Sequence, residues 1–144
     1  MSVRYHHTQR GSLMLVMLPV AAAICAGVGY LNPPHLGRWV LRGLAIMFVA
    51  MSWVFSSLTV EVTEDEVRWQ FGPGLWSYRM PRADIATAQV VRNALLNGFG
   101  IRMRPGFRLY NVSGFDAVEL QLKSGAIRRI GSDDAQGLAA ALKS

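Results

Sequence analysis

SLMLVMLPVAAAICAGVGYL, residues 12–31, is the stretch that decides the architecture of this chain. An α-helix rises 1.5 Å per residue, so twenty residues reach about 30 Å, the thickness of bilayer hydrocarbon. No Asp, Glu, Lys or Arg occurs between Arg10 and Arg38. A second run of similar length follows at 39–58, WVLRGLAIMFVAMSWVFSSL, in which Arg42 is the sole charge and stands where a long side chain snorkels to the headgroups. Between the two lies Asn32-Pro33-Pro34-His35-Leu36-Gly37. Paired prolines remove backbone donors and restrict the residue before them, so this segment predicts a tight turn. Tyr30 and Trp39 flank it at the depth where amphipathic rings favour the interface.

Three other readings of the first run are weaker. A cleaved signal peptide would use Arg4 and Arg10 as its basic region and Ala21-Ala22-Ala23 as its small-residue site, but the apolar run continues to Leu31 and a second one follows. A lipid anchor at Cys25 would need a small residue where Ile24 stands. A buried hairpin of a soluble protein would leave two helices apolar on every face with too little chain to wrap them. The expected contact between the spans uses small residues four apart, Ala22 with Ala26, Ala23 with Gly27, and Ser52 with Ser56, with Pro19 as a kink; the same residues would also suit association between chains. Arg4, Arg10 and Arg68 on the side of the termini outnumber Arg38 and Arg42 on the turn, a bias that places both termini in the cytoplasm of a plasma (inner) membrane protein. The single cysteine lies inside a span, so no disulfide supports an exported domain.

The expected organisation is therefore an N-terminal tail at 1–11, a transmembrane helical hairpin at 12–58, and a domain at 59–144. In that domain the pattern changes to short alternating runs between turn residues, the signature of antiparallel strands. Val60 and Val62 alternate with Thr59, Glu61 and Thr63. After Glu64-Asp65, Val67, Trp69 and Phe71 alternate with Glu66, Arg68 and Gln70, and Gly72-Pro73-Gly74 turns the chain. Further strands are predicted at 75–80, 85–91, 107–112, 117–122 and 126–130, with Lys123-Ser124-Gly125 joining the last two. Ser132 is the expected cap of a closing helix whose first turn holds Asp133 and Asp134, and Leu138, Ala139 and Leu142 give that helix an apolar face for the sheet.

About seven antiparallel strands capped by a C-terminal helix is an α+β, mainly β, arrangement. Together with Leu58-Thr59-Val60, the run Val67-Arg68-Trp69-Gln70-Phe71-Gly72-Pro73-Gly74, the segments Gly98-Phe99-Gly100-Ile101-Arg102 and Tyr110-Asn111-Val112-Ser113-Gly114, Ala117-Val118-Glu119-Leu120 and the closing Ile130-Gly131-Ser132-Asp133-Asp134, it resembles the bacterial pleckstrin-homology-like family that follows a pair of membrane spans. The resemblance covers nearly the whole of the domain and rests on turn glycines and core strands. It implies a membrane-anchored binding or scaffolding module with no chemistry of its own. Phosphoinositide-binding members of the wider fold carry basic residues on the first hairpin; here that turn is Thr63-Glu64-Asp65-Glu66, so that headgroup pocket is not carried over.

The residues agree. His6, His7 and His35 all precede the domain, which holds no histidine or cysteine to act as base, nucleophile or soft metal ligand, so no enzyme activity, cofactor or metal is expected. Asn111-Val112-Ser113-Gly114-Phe115 lacks the first glycine of a hydrolase elbow, and Gly98-Phe99-Gly100 lacks the third glycine of a dinucleotide loop, with Met103 in its place. Glu64-Asp65-Glu66 would leave most of a calcium shell unfilled and reads as a solvated hairpin tip. The distinctive feature is arginine. Arg79, Arg82, Arg92, Arg102, Arg104 and Arg108 face only Asp84 in their interval, which accounts for five of the chain's six net positive charges. Of these, Arg92, Arg102, Arg104 and Arg108 surround a glycine-containing loop and are the candidate contact for anionic lipid headgroups or an acidic protein partner, against the alternative of a solvated loop. Nucleic acid is not expected, because the aromatic residues are needed for the core and do not interleave with the arginines. The expectation is a binding or scaffolding module held in the lipid bilayer, an accessory subunit of a membrane assembly. A small accessory enzyme or transporter component, and a homo-oligomeric interaction module, are the alternatives.

Overall fold

The computed structural model describes residues 2–31, 35–94, 96 and 100–144. In chain order the elements are β1 (Val3–Arg10), α1 (Ser12–Leu31), α2 (Leu36–Val54), β2 (Ser57–Thr63), β3 (Glu66–Phe71), β4 (Trp76–Pro81), a short 3-10 turn (Arg82–Asp84), β5 (Ile85–Arg92), β6 (Gly100–Arg104), β7 (Phe107–Asn111), β8 (Asp116–Leu122), β9 (Ile127–Gly131) and α3 (Ala135–Lys143).

Two helices long and apolar enough to cross a membrane stand side by side, as the charge-free runs predict. The first has the predicted bounds. The second runs from Leu36 to Val54 and not over 39–58, because Phe55 caps it and Ser57 is already paired with Arg10 in a sheet. Of the predicted turn, residues 32–34 lie outside the described residues, and His35 is the N-cap of α2. The seam between the helices is also shifted from expectation. It follows Met14, Leu18, Ala22, Cys25 and Gly29 on α1 and Arg38, Leu41, Ala45, Phe48 and Ser52 on α2, steps of three and four that keep one stripe in contact. Ala23, Ala26 and Gly27 are exposed, Ala23 and Ala26 along an open groove beside this seam. Gly29 is the close-approach residue: a Cβ there would stand 3.3 Å from that of Leu41. Arg38 reaches back to donate from Nε to the Gly29 carbonyl at 3.0 Å, close to the end of α1.

The segment expected to be a tail is strand β1. It pairs antiparallel with β2, from Val3 opposite Thr63 to Arg10 opposite Ser57. Because β1 leads into α1 and β2 leaves α2, the whole hairpin is inserted between two neighbouring strands of one sheet. Gly11 makes the joint: its N–H donates to the Ser56 carbonyl at 2.7 Å, and a Cβ on it would overlap the Phe55 carbonyl oxygen. That sheet has the order β1-β2-β3-β4. The second has the order β5-β8-β9-β7-β6. Among the described residues the strands therefore number nine, β1 and β6 being those that alternation does not reveal. The pairing is not wholly antiparallel either, since β7 lies parallel to β9, Leu109 opposite Arg129.

The core lies between the two sheets. Alternation sends Leu58, Val60 and Val62 of β2 and Val67, Trp69 and Phe71 of β3 inward, all 3% exposed or less. Tyr110 of β7 crosses the gap to meet Trp69, Phe71 and Tyr78, with the nearest ring, that of Tyr78, at 4.8 Å. Helix α3 closes the open side with Leu138, Ala139 and Leu142, the face predicted for it, and with Ala135. Its cap is Asp134 and not Ser132: the Asp134 carboxylate accepts from Gly137 N at 3.1 Å, while Ser132 Oγ accepts from Asp134 N and shapes the turn before it.

Candidate binding surfaces

The four candidate arginines do not form one cluster. Successive residues of a strand point to opposite faces, and register carries that alternation across the sheet. Arg102 and Arg104 of β6 share a face with Leu109 and Arg129, since Arg102 pairs with Leu109 and Leu109 with Arg129. Arg108 pairs with Met103 and Arg128, and so lies on the opposite face. Arg92 ends β5 opposite Asp116, at the other margin of the sheet, its guanidinium 6.0 Å from the centroid of Phe115. All four are exposed. Of the glycine-containing loop, residues 95 and 97–99 lie outside the described residues.

Their distances from the apolar helices differ as well. Gly100 approaches Met14 of α1, and Arg104 is four residues farther along β6, about 13 Å at the rise of a strand. Arg102 is two residues from Gly100, and Arg92 stands beside the β7–β8 loop, which touches the start of α1 at Ser12. The other arginines of the run have different roles. Arg82 ties the end of β2 to the end of α3, donating to the carbonyls of Thr63 at 3.2 Å and of Leu142 at 3.2 Å. Arg79 stands directly opposite Arg68 on the outer face of the first sheet. Arg129, absent from the predicted set, is the most engaged. It donates to Glu119 at 2.7 Å and to Asn93 Oδ1 at 3.2 Å and lies over Phe107. The Arg129–Glu119 pair is mostly buried and holds β8 to β9, a structural use that no local sequence signal marks.

A groove of about 860 Å³ runs beside β5, bordered by Arg4 of β1, Ala83 and the end of α3 at Lys143 and Ser144. The strand edges of the two sheets differ in how they are guarded. β1 carries Arg4 and Arg10, β4 carries Arg79 and Pro81, and β6 carries Arg102 and Arg104, whereas β5 has no charge from Ile85 to Val91. Charge and proline on an edge oppose pairing with another chain, so β5 is the edge best suited to receive an added strand. Between α1 and α2 a second, apolar groove of about 550 Å³ is lined by small side chains including Ala22, Ala26 and Ala45. Among the described residues no group of three or more His, Cys, Asp or Glu is placed to hold a metal ion.

Tyr5 ties β1 to the cap of α3. Its hydroxyl donates to Asp134 Oδ2 at 3.0 Å, and its pKa is pushed up to about 12, first by burial and then by the hydrogen bond to, and charge of, Asp134. The folded value lies above the unfolded value of about 10, so this contribution to stability is complete below pH 10 and is lost as pH rises towards 12. Over that window Tyr5→Phe is expected to show a shallower fall of unfolding free energy, by up to about one bound proton in slope. Tyr78, also raised by burial and by Tyr110, leaves the variant a residual slope. Denaturant titrations at stepped alkaline pH would check this, and identical slopes for the two proteins would rule out the Tyr5 coupling.

No protein-family model matches this chain, and no curated protein matches it.

Proposed function

We propose that the chain is a multi-pass membrane protein that works by binding and not by catalysis: a scaffold or accessory subunit whose β domain is presented to a partner at the membrane surface. The observation that carries this reading is the insertion of the helical hairpin between β1 and β2. A domain linked by a flexible tether would reorient freely. Here the hydrogen bond from Gly11 to Ser56 and the pairing of Arg10 with Ser57 root both helices in the sheet within three residues of their ends. We assign both termini to the cytoplasm on the arginine bias of the flanking segments. Two sheets closed by a C-terminal helix support the pleckstrin-homology-like resemblance, and the parallel β7–β9 pair departs from an antiparallel version of it.

The partner surface proposed is the β5 edge with its adjoining groove, where an extended segment would add a strand and gain main-chain hydrogen bonds. The groove lies along the start of β5, the end away from the helices, since Arg4, which borders it, is seven residues along β1 from Gly11, about 24 Å in an extended strand. A photo-crosslinking residue placed at Thr87 in the full chain, followed by purification in mild detergent, should give one discrete adduct and a stoichiometric copurifying protein. The same residue at Lys123, on the β8–β9 hairpin, should not. Absence of an adduct at position 87 would overturn the assignment of this edge. The groove of small residues between α1 and α2 favours a second reading, self-assembly through the helices, whose signature is a single homo-oligomeric species with no copurifying protein.

A further inference from the structure

Of the exposed apolar side chains of the β domain, Leu75, Trp76 and Phe115 lie at the end from which the helices emerge, while Val3 and Met103 lie elsewhere. On one side the β3–β4 turn is pressed against the last turn of α2. Gly72 N donates to the Ser57 carbonyl at 2.8 Å, its φ is +46°, and a Cβ on it would lie 2.8 Å from the Trp53 carbonyl oxygen as well as overlapping that of Val54. Only glycine fits there. That approach holds Leu75, 64% exposed, and Trp76, 42% exposed, beside the end of α2, with the Trp76 ring 5.7 Å from that of Phe55. Trp53 of α2, whose carbonyl faces that turn, is also exposed. On the other side the β7–β8 loop is tied to the start of α1. Gln9 Nε2 donates to the Ser113 carbonyl at 2.7 Å, and the hydroxyls of Ser12 and Ser113 are 3.1 Å apart. Phe115, 36% exposed, follows in that loop beneath the Arg92 guanidinium, and Asn93 N holds the two strand ends together by donating to the Phe115 carbonyl at 2.6 Å.

We propose that these two loops enter the headgroup layer on either side of the helical hairpin, so that the β domain rests on the bilayer at a fixed orientation, with Leu75 and Trp76 as one wedge and Phe115 with Arg92 as the other. The inference rests on the membrane-spanning reading of α1 and α2. The occupant is lipid because the two patches are continuous with the apolar helices, and hydrogen bonds to residues at or next to the helix ends, Gln9, Ser12 and Ser57, deny them the freedom to turn away. The chemistry suits that layer. An indole combines an apolar body with an N–H donor, and an arginine lying over an aromatic ring keeps its guanidinium free for a phosphate oxygen while its stem stays apolar. Arg92 thereby acquires the anionic-surface role that its distance from Arg102, Arg104 and Arg108 prevents the four from sharing.

The full chain carrying Cys25→Ser would be given single cysteines by Leu75→Cys, Phe115→Cys, Met47→Cys in α2 and Ser124→Cys on the β8–β9 hairpin. Each would be labelled with a small fluorophore and reconstituted in phosphatidylcholine and phosphatidylglycerol vesicles containing a lipid with a nitroxide high on its acyl chain. The expected result is quenching at positions 75 and 115 several-fold above that at 124, with position 47 quenched as well. Quenching at 75 and 115 no greater than at 124, while position 47 is quenched, would overturn the proposal and leave the membrane-spanning reading intact. Loss of quenching at position 47 would remove that reading and this proposal together.

Discussion

Deletion of residues 2–9 is expected to abolish cooperative folding of the β domain while leaving the two apolar helices unaltered in sequence. A tail could be removed without effect, but β1 is the neighbour of β2 along the full length of that strand. Its loss strips β2 of one of its two hydrogen-bonding partners and opens the edge beside Leu58, Val60 and Val62, all buried in the core. It also removes the Tyr5 hydrogen bond to Asp134, the His7 contact with Asp133 at 2.5 Å and the Gln9 bond to Ser113. Each main-chain bond contributes a net of about 1 kcal/mol and the domain as a whole has only about 5–15 kcal/mol to lose. Thermal unfolding followed by circular dichroism in detergent, with limited proteolysis of the region after Ser57, would measure the effect. A truncated chain that melts with the midpoint of the full chain would show that β1 is dispensable.

Leu138→Ala should cost about 2–5 kcal/mol of domain stability, the range for truncating a fully buried leucine whose site cannot collapse. Leu138 is 0% exposed and belongs to the core cluster that includes Val118, Leu120 and Ile130 of the second sheet. Relaxation around it is limited, because α3 is fixed at its start by the Asp134 cap and tied near its end by Arg82, which donates to the carbonyls of Ala141 and Leu142. The exposed Gln136, on the same helix, provides the comparison: Gln136→Ala should stay within about half a kcal/mol. Chemical denaturation of the three proteins in the same detergent would separate the outcomes. A loss for Leu138→Ala as small as that for Gln136→Ala would mean that α3 does not close the core.

Hydropathy and alternation are local quantities, and what depends on them is legible in the residues themselves. Twenty uncharged residues make a long apolar helix whatever surrounds them, and Val67, Trp69 and Phe71 set at every second position make a one-sided strand. The closing helix is legible for the same reason, through the spacing of Leu138, Ala139 and Leu142. Strand β1 is not, because its inward positions are Tyr5, His7 and Gln9, polar side chains that a hydrophobic pattern passes over. Its extended form is stabilised by β2, about fifty residues away in sequence and brought alongside by the antiparallel helices. Strand β6, with Arg102 and Arg104 on five residues, is likewise a strand because it pairs with β7. The parallel contact of β7 with β9 has no local signature at all. The same distinction governs the binding surface. Proximity along the chain makes Arg102, Arg104 and Arg108 look like one basic group, and the alternation of side chains across paired strands sends Arg108 to the other face. Sequence alone determined that this chain has two apolar helices and a β-rich domain. Only the tertiary structure decided that the helices are rooted inside a sheet and which side chains surround that root, because both depend on hydrogen bonds between segments that no short window of sequence contains.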